Sequence, residues 1–153
     1  MKSPSILILN KSSTGFTLIE ILVVLAILMG LSAAGLIIGI DAYQRYLFRA
    51  DLSKATALLQ KARSSAMSNI GETSHGVYFG DPEKFVLFRG TAYGLLPSYD
   101  LSVEKSKAVT ATSIPVEIVF TPLSGTTTDG TIAFGDGVRN TTITINHEGG
   151  INW

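Results

Sequence analysis

The hydrophobic pattern of the chain changes twice along its length. Residues 16–40 are apolar on every side of a helix, with Glu20 as the single charge. Between residues 48 and 70, apolar side chains recur every three or four positions, which predicts a helix with one buried face. No glycine or proline occurs between residues 39 and 71. We therefore predict one helix from residue 16 to about residue 70.

After residue 71 the pattern changes to the two-residue period of β-strands. The first two strand candidates, residues 76–79 and 85–89, flank a Gly-Asp-Pro-Glu-Lys turn and predict a hairpin. A long helix followed by short antiparallel strands predicts an α+β fold, with the helix packed on an antiparallel sheet. The remaining strand candidates are residues 101–103, 109–112, 116–120, 131–134 and 141–145.

The composition narrows the possible functions. Twelve basic and twelve acidic residues cancel, so the net charge provides no general attraction to nucleic acid or acidic lipid. The chain has no cysteine, which excludes disulfides, thiolate metal sites and a cysteine nucleophile. Its hydrophobic excess is concentrated in residues 16–40, which as a helix would extend over roughly 37 Å. Because a bilayer core is roughly 30 Å thick, we predict that this segment spans a membrane.

Three interpretations of the amino end are possible. The segment is a plain membrane anchor, or it is an ordinary secretory signal peptide. In the second case Lys2 and Lys11 form the basic region, residues 21–31 the apolar core and residues 32–34 the cleavage site. In the third case residues 1–15 are a short leader that is removed on the cytoplasmic side, and the apolar helix stays attached.

Glu20 favours the third interpretation. An acid gives no advantage to a signal peptide or a plain anchor, and a charge at the bilayer centre costs roughly 2.5–3.5 kcal/mol. Cleavage between Gly15 and Phe16 would create a positive amine on Phe16, four residues before Glu20. In staggered neighbouring helices, Glu20 of one chain can then pair with the Phe16 amine of the next, which makes the buried charge tolerable. We predict that Glu20 sets the register of assembly.

Residues 11–20 carry a family resemblance. Their sequence Lys-Ser-Ser-Thr-Gly-Phe-Thr-Leu-Ile-Glu, followed by an unbroken apolar stretch, resembles the type III signal of type IV pilins and type II secretion pseudopilins. The resemblance implies that a prepilin peptidase cuts between Gly15 and Phe16 and methylates the new amine of Phe16. It also implies partners: other pilins or pseudopilins in a filament or tip complex, and an inner-membrane assembly platform. No cofactor and no enzymatic activity are expected.

The resemblance also implies a domain organisation and a location. The expected segments are a cleaved leader, a transmembrane and assembly helix, an amphipathic continuation of that helix and a β-rich globular part. The protein would cross the inner (cytoplasmic) membrane once, with its amino terminus cytoplasmic and its globular part periplasmic or extracellular. Lysine and arginine counts beside the span do not decide the orientation. The four segments are residues 1–15, 16–40, 41–70 and 71–153.

Within the family, the chain most resembles minor pseudopilins of the GspH/FimT type. The resemblance lies in the alanine-rich helix end at residues 58–66, in the strand pair 75–79 and 85–88, and in the strand pattern that closes at residue 151. It implies a structural subunit of a type II secretion pseudopilus, or of a related type IV filament, that supports protein secretion. The alternative is a minor type IV pilin that acts as a binding module in pilus biogenesis, adhesion or DNA uptake.

The rest of the chain offers little chemistry. No Gly-x-Ser-x-Gly nucleophile motif occurs. His75 and His147 flank predicted strands, and no metal-ligand spacing such as His-x-x-x-His links them to Asp81, Asp129 or Asp136. The Asp-Gly pairs lack the dense acids of a calcium loop. We therefore predict exposed or turn histidines, aspartates that form turns, and no metal site.

Nucleic-acid binding is also disfavoured by charge. After residue 89, three basic residues face six acidic ones, so this half of the chain carries a net charge of −3. Binding to DNA relies on basic groups that neutralise phosphates. We expect no DNA binding.

Overall fold

The computed structural model describes residues 15–107 and 109–153, except for the side chains of residues 36–38. The predicted leader lies outside the described residues, apart from Gly15. The chain divides into two compact units, with the boundary between Ile40 and Asp41. The described part of the first unit is the beginning of a helix, and the second unit contains all of the strands.

The long helix is confirmed, with both ends slightly inside the predicted bounds. Helix α1 comprises Leu18–Met67. It ends before residue 70 because Asn69 adopts a left-handed conformation, with φ 50° and ψ 37°, which an α-helix cannot accommodate. Ile70, which we predicted on the buried stripe, lies instead in a 3₁₀ turn, Ile70–Glu72, and is exposed. The helical periodicity therefore holds only as far as Ala66.

Among the described residues, eight strands follow the helix and form two antiparallel sheets of four strands. The sheet orders are β3-β2-β1-β5 and β4-β6-β7-β8. This confirms the α+β fold class, but the structure has two sheets where we predicted one. The strands are β1 (His75–Tyr78), β2 (Lys84–Arg89), β3 (Leu101–Glu104), β4 (Thr110–Ile114), β5 (Glu117–Phe120), β6 (Gly130–Gly135), β7 (Asn140–Ile145) and β8 (Ile151–Asn152).

The predicted hairpin is present as β1 and β2. Its turn is closed by Asp81, whose carboxylate Oδ1 accepts hydrogen bonds from the backbone N–H groups of Glu83 (2.8 Å) and Lys84 (3.2 Å). Aspartate commonly forms such local turns. The other edge of β1 pairs with β5, which places Val77 opposite Ile118.

The core of the second unit lies between α1 and the two sheets. Two phenylalanine rings connect the sheets: Phe85 of β2 and Phe134 of β6 meet edge to face, with ring centroids 6.1 Å apart. Phe79 packs on Phe85 at 5.4 Å. Such aromatic pairs add to the hydrophobic gain of burial. The helix contributes its predicted stripe, in which Leu52 is half-buried and the buried members are Phe48, Ala55, Leu59, Ala62 and Ala66. Leu58, which the prediction did not include, is buried as well.

A buried acid fastens the connection between β3 and β4 to the helix. The Asp51 side chain is almost completely buried, and its Oδ1 accepts a hydrogen bond from Nζ of Lys54 at 2.9 Å. Its Oδ2 accepts the backbone N–H of Ser106 at 2.7 Å. The Lys54 ammonium also donates to the carbonyl of Glu104 at 2.8 Å. Both oxygens of this carboxylate are therefore satisfied, as a buried charge requires.

Candidate functional site

The predicted cleavage site stands in an open segment just before the helix. Residues 15–17 are irregular, and α1 begins at Leu18. A Cβ atom added to Gly15 would meet no atom within 4 Å. The Phe16 side chain is exposed. The Gly15–Phe16 peptide bond is thus free of packing by the described part of the chain.

Glu20 lies in the first turn of α1, where its backbone N–H donates to Oγ1 of Thr17 at 3.3 Å and to the Thr17 carbonyl at 3.1 Å. Thr17 acts as the amino-terminal cap, and Thr-x-x-Glu is the sequence pattern of a capping box. The helix dipole also favours an acid at this end. Glu20 thus occupies a position at the start of the helix that favours an acid, which our sequence analysis missed although the pattern was visible.

The helix that follows Glu20 is apolar and exposed on all sides. Every residue from 18 to 35 is exposed, including Leu22, Leu25 and Leu28. By length and composition α1 is long and apolar enough to span a membrane, a criterion that a signal sequence near the amino end also meets. Each square ångström of apolar surface left in water costs about 25 cal/mol. This surface therefore requires lipid or other helices as its partner.

A second cluster of functional interest begins at Asp41, the first residue of the second unit. Its carboxylate accepts a hydrogen bond from Nε of Arg45 at 2.8 Å and also pairs with Nη2 of Arg139. Nη1 of Arg139 binds the carboxylate of Asp136 at 2.8 Å. These charged hydrogen bonds tie the β6–β7 turn to a helix residue 98 positions earlier in the chain. Sequence reasoning missed the cluster because no local pattern connects positions so far apart.

The β6–β7 turn, residues 136–139, is shaped by its aspartate, as the Asp-Gly pair predicted. Oδ1 of Asp136 accepts the backbone N–H groups of Arg139 (2.6 Å) and Val138 (3.0 Å). These bonds, with the Arg139 charge, hold the pKa of Asp136 below its ordinary value. Hydrogen bonds from Arg45 and then Arg139 likewise lower the pKa of Asp41. Val138 stands at the turn with its side chain exposed.

The two histidines differ from each other. His75 is buried at the start of β1, so our expectation of exposed or turn histidines was wrong for this residue. Burial, and secondarily the Arg89 charge, lower the pKa of His75, because a desolvated imidazole favours the neutral form. His147 is exposed. Within residues 15–107 and 109–153, no group of three or more histidines or acids could hold a metal ion.

Comparison with known proteins gives a family match at the amino end of the chain. Residues 10–36 match the model of the prokaryotic N-terminal methylation motif. No curated protein and no solved structure matches the chain. In this family the motif implies processing by a prepilin peptidase, assembly with other pilins and anchoring in a membrane. The match indicates the type IV pilin/pseudopilin family, and the exposed apolar helix and the α+β fold are consistent with it.

Proposed function

We propose that this chain is a structural minor pseudopilin without enzymatic activity. After removal of its leader it would join the pseudopilus of a type II secretion system, or a related type IV filament, and support protein secretion. The observation that carries the proposal is the apolar surface of residues 18–35, which is exposed on every side and lies within the match to the methylation motif. A helix of this kind becomes stable outside lipid only when similar helices surround it.

We propose that processing and assembly use three residues. The peptidase cuts between Gly15 and Phe16 and methylates the Phe16 amine. The amine is then positively charged at the start of a helix whose first turn contains Glu20. No basic side chain forms a salt bridge with Glu20 in the part of the chain that the structure describes. In a filament, the Phe16 amine of a neighbouring subunit would supply this missing partner and fix the stagger between helices.

The processing step is tested by intact mass and amino-terminal sequencing after co-production with a prepilin peptidase. The expected product begins at methylated Phe16. The Gly15→Ala variant should remain uncut. Because a Cβ at this position meets no atom within 4 Å, the substitution leaves the chain undisturbed, and loss of cleavage would report recognition by the peptidase. A product beginning at Gly35 would instead show an ordinary signal peptide.

The assembly step is tested by comparing variants of Glu20 with a variant of its helix cap. If Glu20 pairs with a neighbour's amine, Glu20→Ala and Glu20→Gln should reduce incorporation into sheared filaments at least about tenfold, since breaking a buried ion pair costs about 3–5 kcal/mol. Thr17→Ala removes the local cap contact of 3.3 Å and should still assemble. Equal defects in the Thr17 and Glu20 variants would mean that Glu20 acts only at the start of its own helix.

The alternative role, a minor pilin that binds DNA during uptake, receives less support. Several cations of the second unit are already paired with acids of the same chain. Lys107 lies 3.2 Å from Glu83, and Arg139 binds two aspartates. Retarded migration of DNA by the purified second unit at physiological salt would favour the alternative. Loss of protein secretion, with pili intact, in a strain that lacks the chain would favour the pseudopilus.

A further inference from the structure

The apolar segment of α1 ends at Ile40, and this determines how deep Asp41 lies in a membrane. Residues 16–40 extend over roughly 37 Å as a helix, about 7 Å more than the hydrocarbon core. The headgroup layers add roughly 5–8 Å on each side of that core. However the excess is divided between the two ends, Asp41, which directly follows Ile40, falls at the core boundary or in the headgroup layer.

The β6–β7 turn is held beside Asp41, close to the point where the apolar segment ends. Arg139 in this turn binds the Asp41 carboxylate and also Asp136 at 2.8 Å. Val138, which lies between Asp136 and Arg139 in the sequence, has a side chain that is 81% exposed. An aliphatic side chain flanked by charged neighbours suits the membrane interface, where apolar and polar groups meet.

Other side chains around the helix suit the same depth. Tyr43 and Tyr46 are exposed and lie about 200° and about 140° around the helix axis from Asp41, at 3.6 residues per turn. They therefore occupy the side of α1 away from the β6–β7 turn. Tyrosines are enriched at membrane–water interfaces. Arg45 and Arg49 are also exposed, on the same side of the helix as Asp41, and basic side chains at this depth can contact lipid phosphates.

We propose that the β6–β7 turn is a membrane-contact site, in which Val138 enters the headgroup region of the bilayer spanned by the apolar helix. The site would keep the second unit against the membrane surface before the subunit is assembled. The proposal rests on membrane anchoring of the helix and does not require a filament. The ion pairs between Arg139 and Asp41 position the turn, and Val138 makes the contact.

Leu123 provides a matched control. It is an aliphatic side chain of similar exposure, 70%, and it also lies in a loop. Its backbone N–H donates to the carbonyl of Ala66 at 2.9 Å. Ala66 is 25 residues beyond Asp41 in the same helix, which corresponds to roughly 37 Å along the axis. Leu123 therefore lies far from Asp41 within the second unit, and the proposal predicts weaker quenching there than beside Asp41.

The test uses single-cysteine variants of the full chain, which has no native cysteine. Val138→Cys, Leu123→Cys and Ile27→Cys are labelled with an environment-sensitive fluorophore and reconstituted in phosphatidylethanolamine–phosphatidylglycerol vesicles. Nitroxide lipids, with the spin label at the headgroup or deep in the acyl chain, serve as quenchers. Position 138 should be quenched by the headgroup nitroxide several-fold more than position 123. Position 27 should be quenched by the deep nitroxide.

Each other outcome contradicts the proposal in a distinguishable way. Equal quenching at positions 138 and 123 would show that the turn does not touch lipid. A label at 138 that is shielded from water but not quenched would show burial against protein. No quenching at position 27 would show that the helix does not insert, which removes the premise of membrane anchoring as well.

A further variant tests how the turn is positioned. Asp41→Asn, combined with Val138→Cys, weakens the ion pairs to Arg45 and Arg139. Quenching at position 138 should decrease several-fold, while the matching variant with Ile27→Cys keeps its quenching. Unchanged quenching at position 138 would show that Asp41 does not hold the turn at the membrane.

Discussion

The two halves of helix α1 have similar side chains in opposite environments. Leu25, in the first unit, is 45% exposed, whereas Leu59, in the second unit, is completely buried. The second half is amphipathic and meets its partners, the two sheets, within its own chain. The first half is apolar all round and has no such partner among the described residues. Periodicity in a helix therefore indicates where its partner is to be found: in the same chain or outside it.

The acids of the two halves differ in the same way. The carboxylate of Asp51 is buried and binds both Lys54 and the backbone of Ser106. Glu20 forms no salt bridge with the described residues, and its backbone N–H alone contacts Thr17. A charge that is satisfied within the chain supports the fold. A charge without such a partner, placed within a methylation motif, is suited to a contact between chains.

The difference between the two halves of α1 is tested most directly by cutting the helix at the boundary between the units. A chain of residues 41–153 should be soluble, monomeric and folded without detergent, because the core lies within this unit. The full chain should require detergent or lipid. Gel filtration and circular dichroism distinguish the two. If residues 41–153 aggregate or lack the far-ultraviolet signal of strands, then the second unit depends on the first.

Truncation of a large side chain should lower the free energy of unfolding when the side chain lies in the core and not when it lies in the exposed half of α1. Phe85→Ala should lower the free energy of unfolding of the second unit by about 3–5 kcal/mol, the usual cost for a buried phenylalanine. Leu25→Ala, in the exposed half, should leave it unchanged. Urea unfolding of the full chain in detergent, followed by the single tryptophan, Trp153, measures both. A comparable loss in both variants would contradict the division.

Asp51, the buried acid of the second half, should contribute less to the free energy of unfolding than Phe85 does. Asp51→Ala should lower the free energy of unfolding by about 1–3 kcal/mol, because Lys54 and the Ser106 amide lose a hydrogen-bond acceptor. Asp51→Asn, which keeps an oxygen that can accept from Ser106, serves as the control and should cost less. Unfolding curves of the two variants give the difference. Equal losses would mean that the charge itself is what the site requires.

The smallest effect concerns pH and His75. Burial lowers the pKa of His75 in the folded state, so below about pH 6.5 the unfolded chain binds a proton more readily than the folded chain. Stability contributed by the neutral imidazole is therefore present above that pH and decreases as the pH falls through the folded pKa. The slope should stay below about 1.4 kcal/mol per pH unit, the value for one full proton.

The control for this effect is His75→Gln, whose side chain does not titrate. Its free energy of unfolding should vary less between pH 7 and pH 5 than that of the wild type. Urea titrations at these two values provide the measurement. Parallel pH dependence of the two proteins would show that His75 makes no contribution.

Local features of the fold could be predicted from the sequence, since they depend on neighbouring residues. The stripe from Phe48 to Ala66 and the β1–β2 hairpin follow from periodicity and turn residues. The pairing of β1 with β5 could not be predicted, because strands of similar composition have many possible partners. For the same reason the division into two sheets was missed. The exposure of Ile70 was missed because we gave weight to the periodicity and not to Asn69, a residue type that often adopts the left-handed conformation just after a helix.

The candidate sites show the same limit. Gly15, Phe16 and Glu20 are contiguous in the sequence, so a motif could reveal them. The cluster of Asp41 and Arg139 joins positions 98 residues apart, and the hydrogen bond from Ser106 to Asp51 joins positions 55 apart. Charged residues on a surface have many possible partners, and only the tertiary fold selects among them.

The position of the buried stripe on α1 has a consequence for biosynthesis. The helix is translated before any strand, yet the residues that cover its stripe include Ile118 of β5 and Ile143 of β7. At roughly 5–20 residues per second, the ribosome needs several seconds to add the chain between Ala66 and Ile143. During this interval the nascent helix presents an uncovered hydrophobic face, so we expect it to require a chaperone or the membrane surface as a temporary cover.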